Sequence, residues 1–392
     1  MNMKLDVIQF NESFPPIMDG VANVTRNYAH WIKKKYGRSY VVTPKYPAYV
    51  DDEIFPVLRY PSLPLALRKP YRLGVGQHNP KLWKKLSTLH VDIVHAQSPF
   101  SSGNIALQYA RQKEVPLVAT FHSKFYDDFK EVTRSDVISW LMTHLVVDFF
   151  SYADAVWAVN ESTRETLLSY GYKGKVDVVP NGADFTIPPN LDLMIQDIEK
   201  QYDIPSDSMV FLFVGQMIKQ KNISMIIDSL NLLKKAGCEF NMIFVGEGKS
   251  REDFEMRVKR YKLVNKVKFL GKILNRDVLK SIFARADLFI FPSIYDNAPV
   301  VTREAAAVGT ASLIVKGSNA AEGVVHGKNG YLCENSAESI SQSILKIVSD
   351  REGLKNAGIN AQQTIFRSWE SIVDEVVVPK YLEIIEKYKN NH

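Results

Sequence analysis

Residues 286–332, ADLFIFPSIYDNAPVVTREAAAVGTASLIVKGSNAAEGVVHGKNGYL, decide how the rest of the chain is read. They open with Leu288-Phe289-Ile290-Phe291, an apolar run stopped by Pro292, as expected of a short strand buried on both faces of a parallel sheet. The loop behind it carries Asp296, and a small-residue run of helical character carries Glu304, with seven residues between the two acids. A second apolar run, 312–315, then leads to Gly317, Glu322, Gly323, Gly327 and Gly330. Strand, acid loop, helix, strand and glycine loop make one α/β unit. In open parallel sheets ligands sit beyond the carboxyl ends of the strands, where these loops gather.

The same pattern recurs on both sides. Residues 209–214, MVFLFV, run into Gly215-Gln216 and on to Lys221-Asn222, with a helix expected from about Ile223. A glycine between strand and helix lets backbone N–H groups approach a phosphate, and the helix N-terminus adds partial positive charge. Residues 242–245 end at Gly246, and 267–270 at Gly271. At the amino end, a strand over 5–10 passes through a turn to Gly20 and a helix over about 21–31. Further strands are expected at 91–95, 116–121, 155–159 and 176–179. His122 stands at the carboxyl end of the 116–121 strand, a position that favours function over a core histidine. Pro180-Asn181-Gly182 is a turn signal.

The acid-x7-acid element, its AAAVG helix and EGVVHGKNGYL together resemble the donor-sugar signature of the retaining GT-B glycosyltransferases of the family 4 type. Pro180-Asn181-Gly182-Ala183-Asp184 is similar to that family's crossing between domains. The resemblance implies two Rossmann-like α/β domains facing each other across a cleft. The first would cover 1–184 and bind the acceptor. The second, 185–369, would bind the nucleotide-sugar, and a terminal helix over 370–392 would cross back to the first. It further implies catalytic roles for His122, Asp296 and Lys221, and donor contacts from Gly20, Gly215, Gln216, Lys221, Gly246, Asn297, Ala298, Pro299, Val300 and Glu304. Glu304 would take the ribose hydroxyls, since a carboxylate accepts two hydrogen bonds from a diol. Phe121-His122-Ser123 and the following KFYDDF resemble enzymes that glucosylate diacylglycerol, which makes Tyr126 and Asp127, with Asp19, candidate acceptor contacts. Five positions in three places depart from the family: Asp19 replaces the first of two glycines, Gln216 stands where an Arg is usual, and Asp296-Asn297-Ala298 replaces Glu-Phe-Gly.

Composition sets the frame. At 392 residues the chain exceeds what one core usually fills, so two domains are expected. Two distant cysteines, Cys238 and Cys333, indicate a reducing compartment without a disulfide framework. The first strand begins almost at the initiator Met, which leaves no room for a signal peptide, and no apolar run reaches the roughly 18 residues that span a bilayer. A cytoplasmic protein, peripheral on the inner face of the cell membrane, is expected. The net charge of +6 is concentrated in residues 1–100, with 14 Lys and Arg against 7 Asp and Glu. Lys33, Lys34, Lys35, Arg38, Arg68, Lys69, Arg72, Lys81, Lys84 and Lys85 supply most of it. This favours either a solvated face or attraction to an anionic membrane or substrate, each basic residue contributing about 1 kcal/mol near such a surface. Nucleic acid is not expected, since no recognition motif is interleaved. Residues 61–76, PSLPLALRKPYRLGVG, read as an interfacial loop, and residues 137–150, VISWLMTHLVVDFF, as a buried core helix.

The resemblance, with the basic first hundred residues, implies a retaining hexosyltransferase moving glucose from UDP-glucose to a membrane lipid such as diacylglycerol, or to a lipid-linked glycan. The resemblance also implies metal-independent transfer without a resident cofactor, and the sequence agrees in having no D-x-D motif and no His/carboxylate cluster in a loop expected to face the cleft. Cell-wall or capsule glycan synthesis, sugar-nucleotide epimerisation and a non-catalytic nucleotide-sugar-binding subunit stay open as alternatives.

Overall fold

The computed structural model describes residues 4–65, 69–185 and 187–391. Ala66, Leu67 and Arg68, within the basic and apolar 61–76 stretch, lie outside the described residues. The chain divides into two compact units, Met1–Asn181 with Trp369–His392, and Gly182–Ser368.

In the first unit, seven described strands form a parallel sheet: β1 (Val7–Phe10), β2 (Ser39–Pro44), β3 (Val57–Tyr60), β4 (Ile93–Ala96), β5 (Leu117–Phe121), β6 (Ala155–Ala158) and β7 (Val176–Val178). Their spatial order is β3-β2-β1-β4-β5-β6-β7. Between them run α1 (Gly20–Lys35), α2 (Pro80–Ser87), α3 (Ser101–Lys113), α4 (Phe125–Thr133), α5 (Asp136–Ser151) and α6 (Glu161–Ser169). Strand periodicity sorts the core. Ile8, Phe10, Val94, Ala96, Ala119 and Phe121 point to one face and pack with Leu86, Tyr109 and Phe150 of α2, α3 and α5. On the other face, buried Gln9, His95, Thr120 and Trp157 meet α1 and the C-terminal helical segment. That segment runs from Trp369 through a π turn, Val373–Val377, to Asn391. Tyr381 from it stacks on Trp157 with ring centroids 5.2 Å apart.

In the second unit, six described strands form another parallel sheet: β8 (Val210–Val214), β9 (Asn241–Val245), β10 (Val267–Gly271), β11 (Leu288–Phe291), β12 (Ala311–Val315) and β13 (Tyr331–Cys333). Their order is β10-β9-β8-β11-β12-β13. The helices are α7 (Leu191–Tyr202), α8 (Ile223–Lys235), α9 (Arg251–Arg260), α10 (Arg276–Arg285), α11 (Val300–Ala307), α12 (Ala337–Ser349) and α13 (Arg351–Thr364). Phe211, Phe213, Phe244, Phe289 and Phe291 are all buried in its core. Truncating such a Phe to Ala costs about 3–5 kcal/mol.

In both sheets the strand order reverses beside the first strand of the unit. That reversal lies between β1 and β4 in one unit and between β8 and β11 in the other. Loops leave such a switch point in opposite directions and open a crevice for a ligand.

The α5 expectation needs correction. Phe149, Phe150, Val146 and Val147 are buried, but Val137, Ile138, Trp140, Leu141 and Leu145 are exposed, Val137 by 77% and Leu145 by 63%. The helix is apolar around its circumference yet packs by only one side.

Candidate active site

The loop leaving β8 ends in a tight turn, Lys219–Lys221, before α8. Asn222 makes that entry possible by adopting φ +55, a left-handed conformation that Asn tolerates better than most residues. Its Nδ2 donates to the Pro292 carbonyl at 2.9 Å, which ties this loop to the end of β11. Lys221 is thereby brought to Asp296, and its ammonium pairs with the Asp296 carboxylate. Ser293, fully buried, donates its hydroxyl to the other oxygen of Asp296 at 2.5 Å. Lys221 Nζ also lies 5.8 Å from the ring centres of Phe291 and of Tyr295. A cation so placed is largely withdrawn from water, where its field acts more strongly than at a wet surface.

Glu304, on α11, is buried. Arg276, at the start of α10, donates from Nη2 to Glu304 Oε1 at 2.5 Å and lies 4.7 Å over the Phe185 ring. Asn297 accepts from Asn319 Nδ2 at 3.1 Å. Pro299 caps α11 and Val300 is its first residue. Gln216 is exposed at the head of the β8 loop. Of Gly215 and Gly246, only Gly246 is fixed by backbone packing. Gly246 has φ +133, and a Cβ there would stand 1.9 Å from the Gly215 carbonyl oxygen. Ser293, Asn222 and Arg276 were not apparent from the sequence as parts of this site.

The first unit has a different polar centre. His122, just after β5, meets Gln97 Oε1 through Nε2 at 2.8 Å. Gln97 Nε2 donates to Gln9 Oε1 at 2.9 Å, and Gln9 Nε2 donates to the Thr25 carbonyl at 3.1 Å. His95 Nδ1 lies 2.5 Å from the Tyr381 hydroxyl and its Nε2 2.7 Å from Thr120 Oγ1. Burial lowers His95 well below the ordinary imidazole value and pushes His122 down to about 3, so both rings are neutral at physiological pH. The signal for this network was a single polar residue inside each apolar strand: Gln9, His95 and Thr120.

The acceptor candidates have structural partners. Asp19 caps α1, accepting from Ala22 N at 2.8 Å and from Ser13 Oγ at 2.9 Å. That contact accounts for an acid at the position without an acceptor, and it puts negative charge on the α1 N-terminus beside Gly20. A Cβ at Gly20 would meet nothing within 4 Å, so backbone crowding does not demand glycine there. The Tyr126 hydroxyl donates to Asp136 Oδ1 at 2.5 Å, as does Lys130, while Asp127 is exposed in the first turn of α4. Among the described residues, no group of three or more His, Cys, Asp or Glu side chains is placed to hold a metal ion.

Two parallel α/β sheets of Rossmann order, one with a cation and two carboxylates gathered around its switch point, define a GT-B protein. Residues 18–186 match the domain described as Glycosyltransferase Family 4, and residues 194–364 match Glycosyl transferases group 1. The chain belongs to this glycosyltransferase family. It is similar to alpha-monoglucosyldiacylglycerol synthase of Acholeplasma laidlawii, at 21% identity over 391 residues, 96% of this chain and 97% of that protein. The protein of the same description from Streptococcus pneumoniae is 23% identical over 305 residues, 77% of this chain and 69% of its own length. Among solved structures, Anabaena HepE in complex with UDP and glucose covers 96% of this chain and 99% of its own, with TM-score 0.75 and 18% identity. Sucrose-phosphate synthase from Thermosynechococcus elongatus covers 98% and 100%, with TM-score 0.77 and 18% identity.

Proposed function

We propose that this glycosyltransferase moves glucose from UDP-glucose, with retention of anomeric configuration, to diacylglycerol or a closely related lipid at an anionic membrane surface. The donor belongs to the second unit. Breaking the anomeric C–O bond leaves negative charge on the departing diphosphate, and Lys221 with the α8 N-terminus would stabilise it by preorganised electrostatics. Lys221 pairs with Asp296. A diphosphate arriving there would compete for that ammonium and release Asp296 toward the sugar hydroxyls. Glu304, steadied by Arg276, would take the ribose diol. His122 would serve the reacting sugar as a neutral hydrogen-bonding group. UDP-glucose is a substrate here and no resident cofactor is invoked, so EDTA should leave the rate unchanged.

The observation that carries the lipid acceptor is the exposed apolar stripe of α5. Val137, Leu141 and Leu145 follow one another at four-residue spacing, flanked by Ile138 and Trp140. Helix α2 packs against the same sheet face as α5 and exposes Lys81, Lys84 and Lys85. Exposed apolar side chains and exposed basic ones on one unit are the two components of a peripheral membrane face. Two described relatives are diacylglycerol glucosyltransferases by name, which agrees with this acceptor. Among the described residues, no helix is long and apolar enough to cross a membrane.

The deciding experiment is UDP release from UDP-glucose with and without diacylglycerol in anionic vesicles. Strong stimulation by the lipid is expected. Release that ignores the lipid would move the acceptor to a cell-wall or capsule glycan. Conversion of the donor without an acceptor would indicate epimerisation. Binding without turnover would leave a nucleotide-sugar-binding subunit.

A further inference from the structure

The buried network of the first unit has a direction, and we infer that Gln97, locked by Gln9, is a positioning residue that holds His122 as the Nε2–H tautomer and makes its Nδ1 a hydrogen-bond acceptor. The orientation of a side-chain amide is ordinarily ambiguous, because its oxygen and nitrogen are nearly isosteric. Here a backbone carbonyl removes the ambiguity. The Thr25 carbonyl can only accept, so the Gln9 group 3.1 Å from it must be the NH2. Gln9 therefore turns its oxygen to Gln97, 2.9 Å away, which must answer with its own NH2. The Gln97 oxygen is then the atom 2.8 Å from His122 Nε2, and only an N–H satisfies it. Three consecutive contacts transmit one fixed polarity from α1 to the end of β5.

A neighbouring branch has the same sense. The second Gln97 N–H faces His95 Nδ1 at 3.4 Å, so that nitrogen is an acceptor. The Tyr381 hydroxyl donates to it, and His95 Nε2–H donates to Thr120 Oγ1. Both histidines thus take one tautomer, and the C-terminal helical segment contributes to the arrangement through Tyr381. The network is buried and its amides are paired, which is the condition under which such networks specify a single arrangement.

The consequence for catalysis depends on the proposed sugar-facing role of His122. A neutral imidazole with Nδ1 as acceptor takes a hydrogen bond from a hydroxyl and repels an approaching carbonyl or phosphate oxygen. The opposite tautomer would reverse both preferences, with no change in ring position.

The test is spectroscopic first. The protein contains 8 histidines. With 15N-labelled histidine and His122→Asn to assign the resonance, the two ring nitrogens of His122 are read directly between pH 6 and 8. The expected result is a protonated Nε2 and an unprotonated Nδ1 throughout. An Nδ1–H tautomer, or an imidazolium at pH 7, would overturn the inference without needing any variant to fold. Gln9→Leu should convert the single tautomer to a mixture by freeing Gln97 to turn. Retention of pure Nε2–H in that variant would remove Gln9 from the relay.

Gln97→Glu keeps an acceptor beside Nε2 but adds a charge that raises the His122 pKa. The other titratable groups facing this centre are His95, Tyr28 and Tyr381, all neutral in that range. UDP-glucose turnover by Gln97→Glu should therefore fall as the solution is acidified, by about tenfold per pH unit below the new value. The parent should show no such inflection. A fixed tautomer together with full activity in His122→Asn would leave the inference standing and defeat only the catalytic reading of His122.

Discussion

The two switch points share a topology and differ in charge. Between β8 and β11 the polar groups are ions: Lys221 with Asp296, and, on the helices beyond, Arg276 with Glu304. Between β1 and β4, and on to β5, the linked side chains are neutral amides, imidazoles and hydroxyls joined in one direction, and the one acid named there, Asp19, is engaged as the cap of α1. On the proposed function, the difference would match two chemical tasks. A diphosphate needs a cation that is already in place. A sugar or acceptor hydroxyl needs donors and acceptors whose sense is fixed, and a nearby full charge would blur that discrimination. The duplicated strand order supplied the crevice twice, and the side chains divided the labour.

The sharpest way to break this comparison is to discharge the ionic site. Lys221→Ala should lower kcat/KM for UDP-glucose by about 10²–10³, the range seen when one preorganised electrostatic donor is lost. Circular dichroism should remain that of the parent. A loss below threefold would show that the diphosphate is neutralised elsewhere. Lys221→Ala and Asp296→Ala should also combine non-additively, because the two side chains touch.

Acidification probes the neutral site. Both histidines are held below their ordinary value, so between that value and the lowered one the unfolded chain binds more protons than the folded one. Stability therefore rises with pH in this window. The contribution is complete above about pH 6.5 and is lost as pH falls from there toward about 3 for His122. Each ring costs up to about 1.4 kcal/mol per pH unit across the window. Urea midpoints should drop between pH 7 and pH 5, and His122→Asn should flatten part of that slope. An unchanged slope in this variant would mean that His122 takes up its proton over the same pH range in the folded and unfolded chains.

Glu304→Gln tests the second carboxylate. It keeps the shape but removes the charge facing Arg276, and the KM for UDP-glucose should rise about tenfold, as for loss of a charge-assisted hydrogen bond. Arg276→Ala should move KM the same way and by less, since it acts only through Glu304. An effect confined to kcat in either variant would detach both from donor binding. On the membrane side, Leu141→Glu should reduce sedimentation with anionic vesicles several-fold while changing stability by under about 0.5 kcal/mol, because the side chain is exposed. Unaltered sedimentation would leave the α5 stripe without a membrane role.

The ionic site was far more legible in the sequence than the neutral one. Apolar runs bounded by Pro292, Gly215 and Gly317 marked strand ends, and the charged residues beside them announced themselves. Strands β2 and β3 were not apparent. SYVVTP and VLRY are short and mixed, and they are placed by neighbours distant in sequence, β2 pairing with β1 and β3 with β2. Gln9 and His95 each looked like an isolated polar residue in an apolar strand, and sequence does not say which atom across a sheet will answer it. Arg276 meets Glu304 only through the packing of α10 on α11. Helix α5 was read as core because 14 residues are too few to span a bilayer, and the four-residue spacing of Val137, Leu141 and Leu145 carries the exposed stripe only once Phe149 and Phe150 are seen to face inward.

The smallest predicted effect adds to the ionic site instead of subtracting from it. Gln216 occupies the position where a second cation is expected by resemblance, and it is exposed at the mouth of the β8 loop. An exposed position costs little to charge, so Gln216→Arg should fold like the parent. Its guanidinium would offer a bidentate contact to phosphate in place of a neutral amide, and charge-assisted bonds are roughly twice as strong as neutral ones. The gain is limited by solvent screening and by the flexibility of an exposed side chain. We expect kcat/KM for UDP-glucose to rise by about three- to tenfold at low salt, corresponding to about 1 kcal/mol, and the gain to shrink as salt is added. A fall instead of a rise would mean that Lys221 alone already matches the charge this site handles, and that the glutamine is there to keep a second cation out.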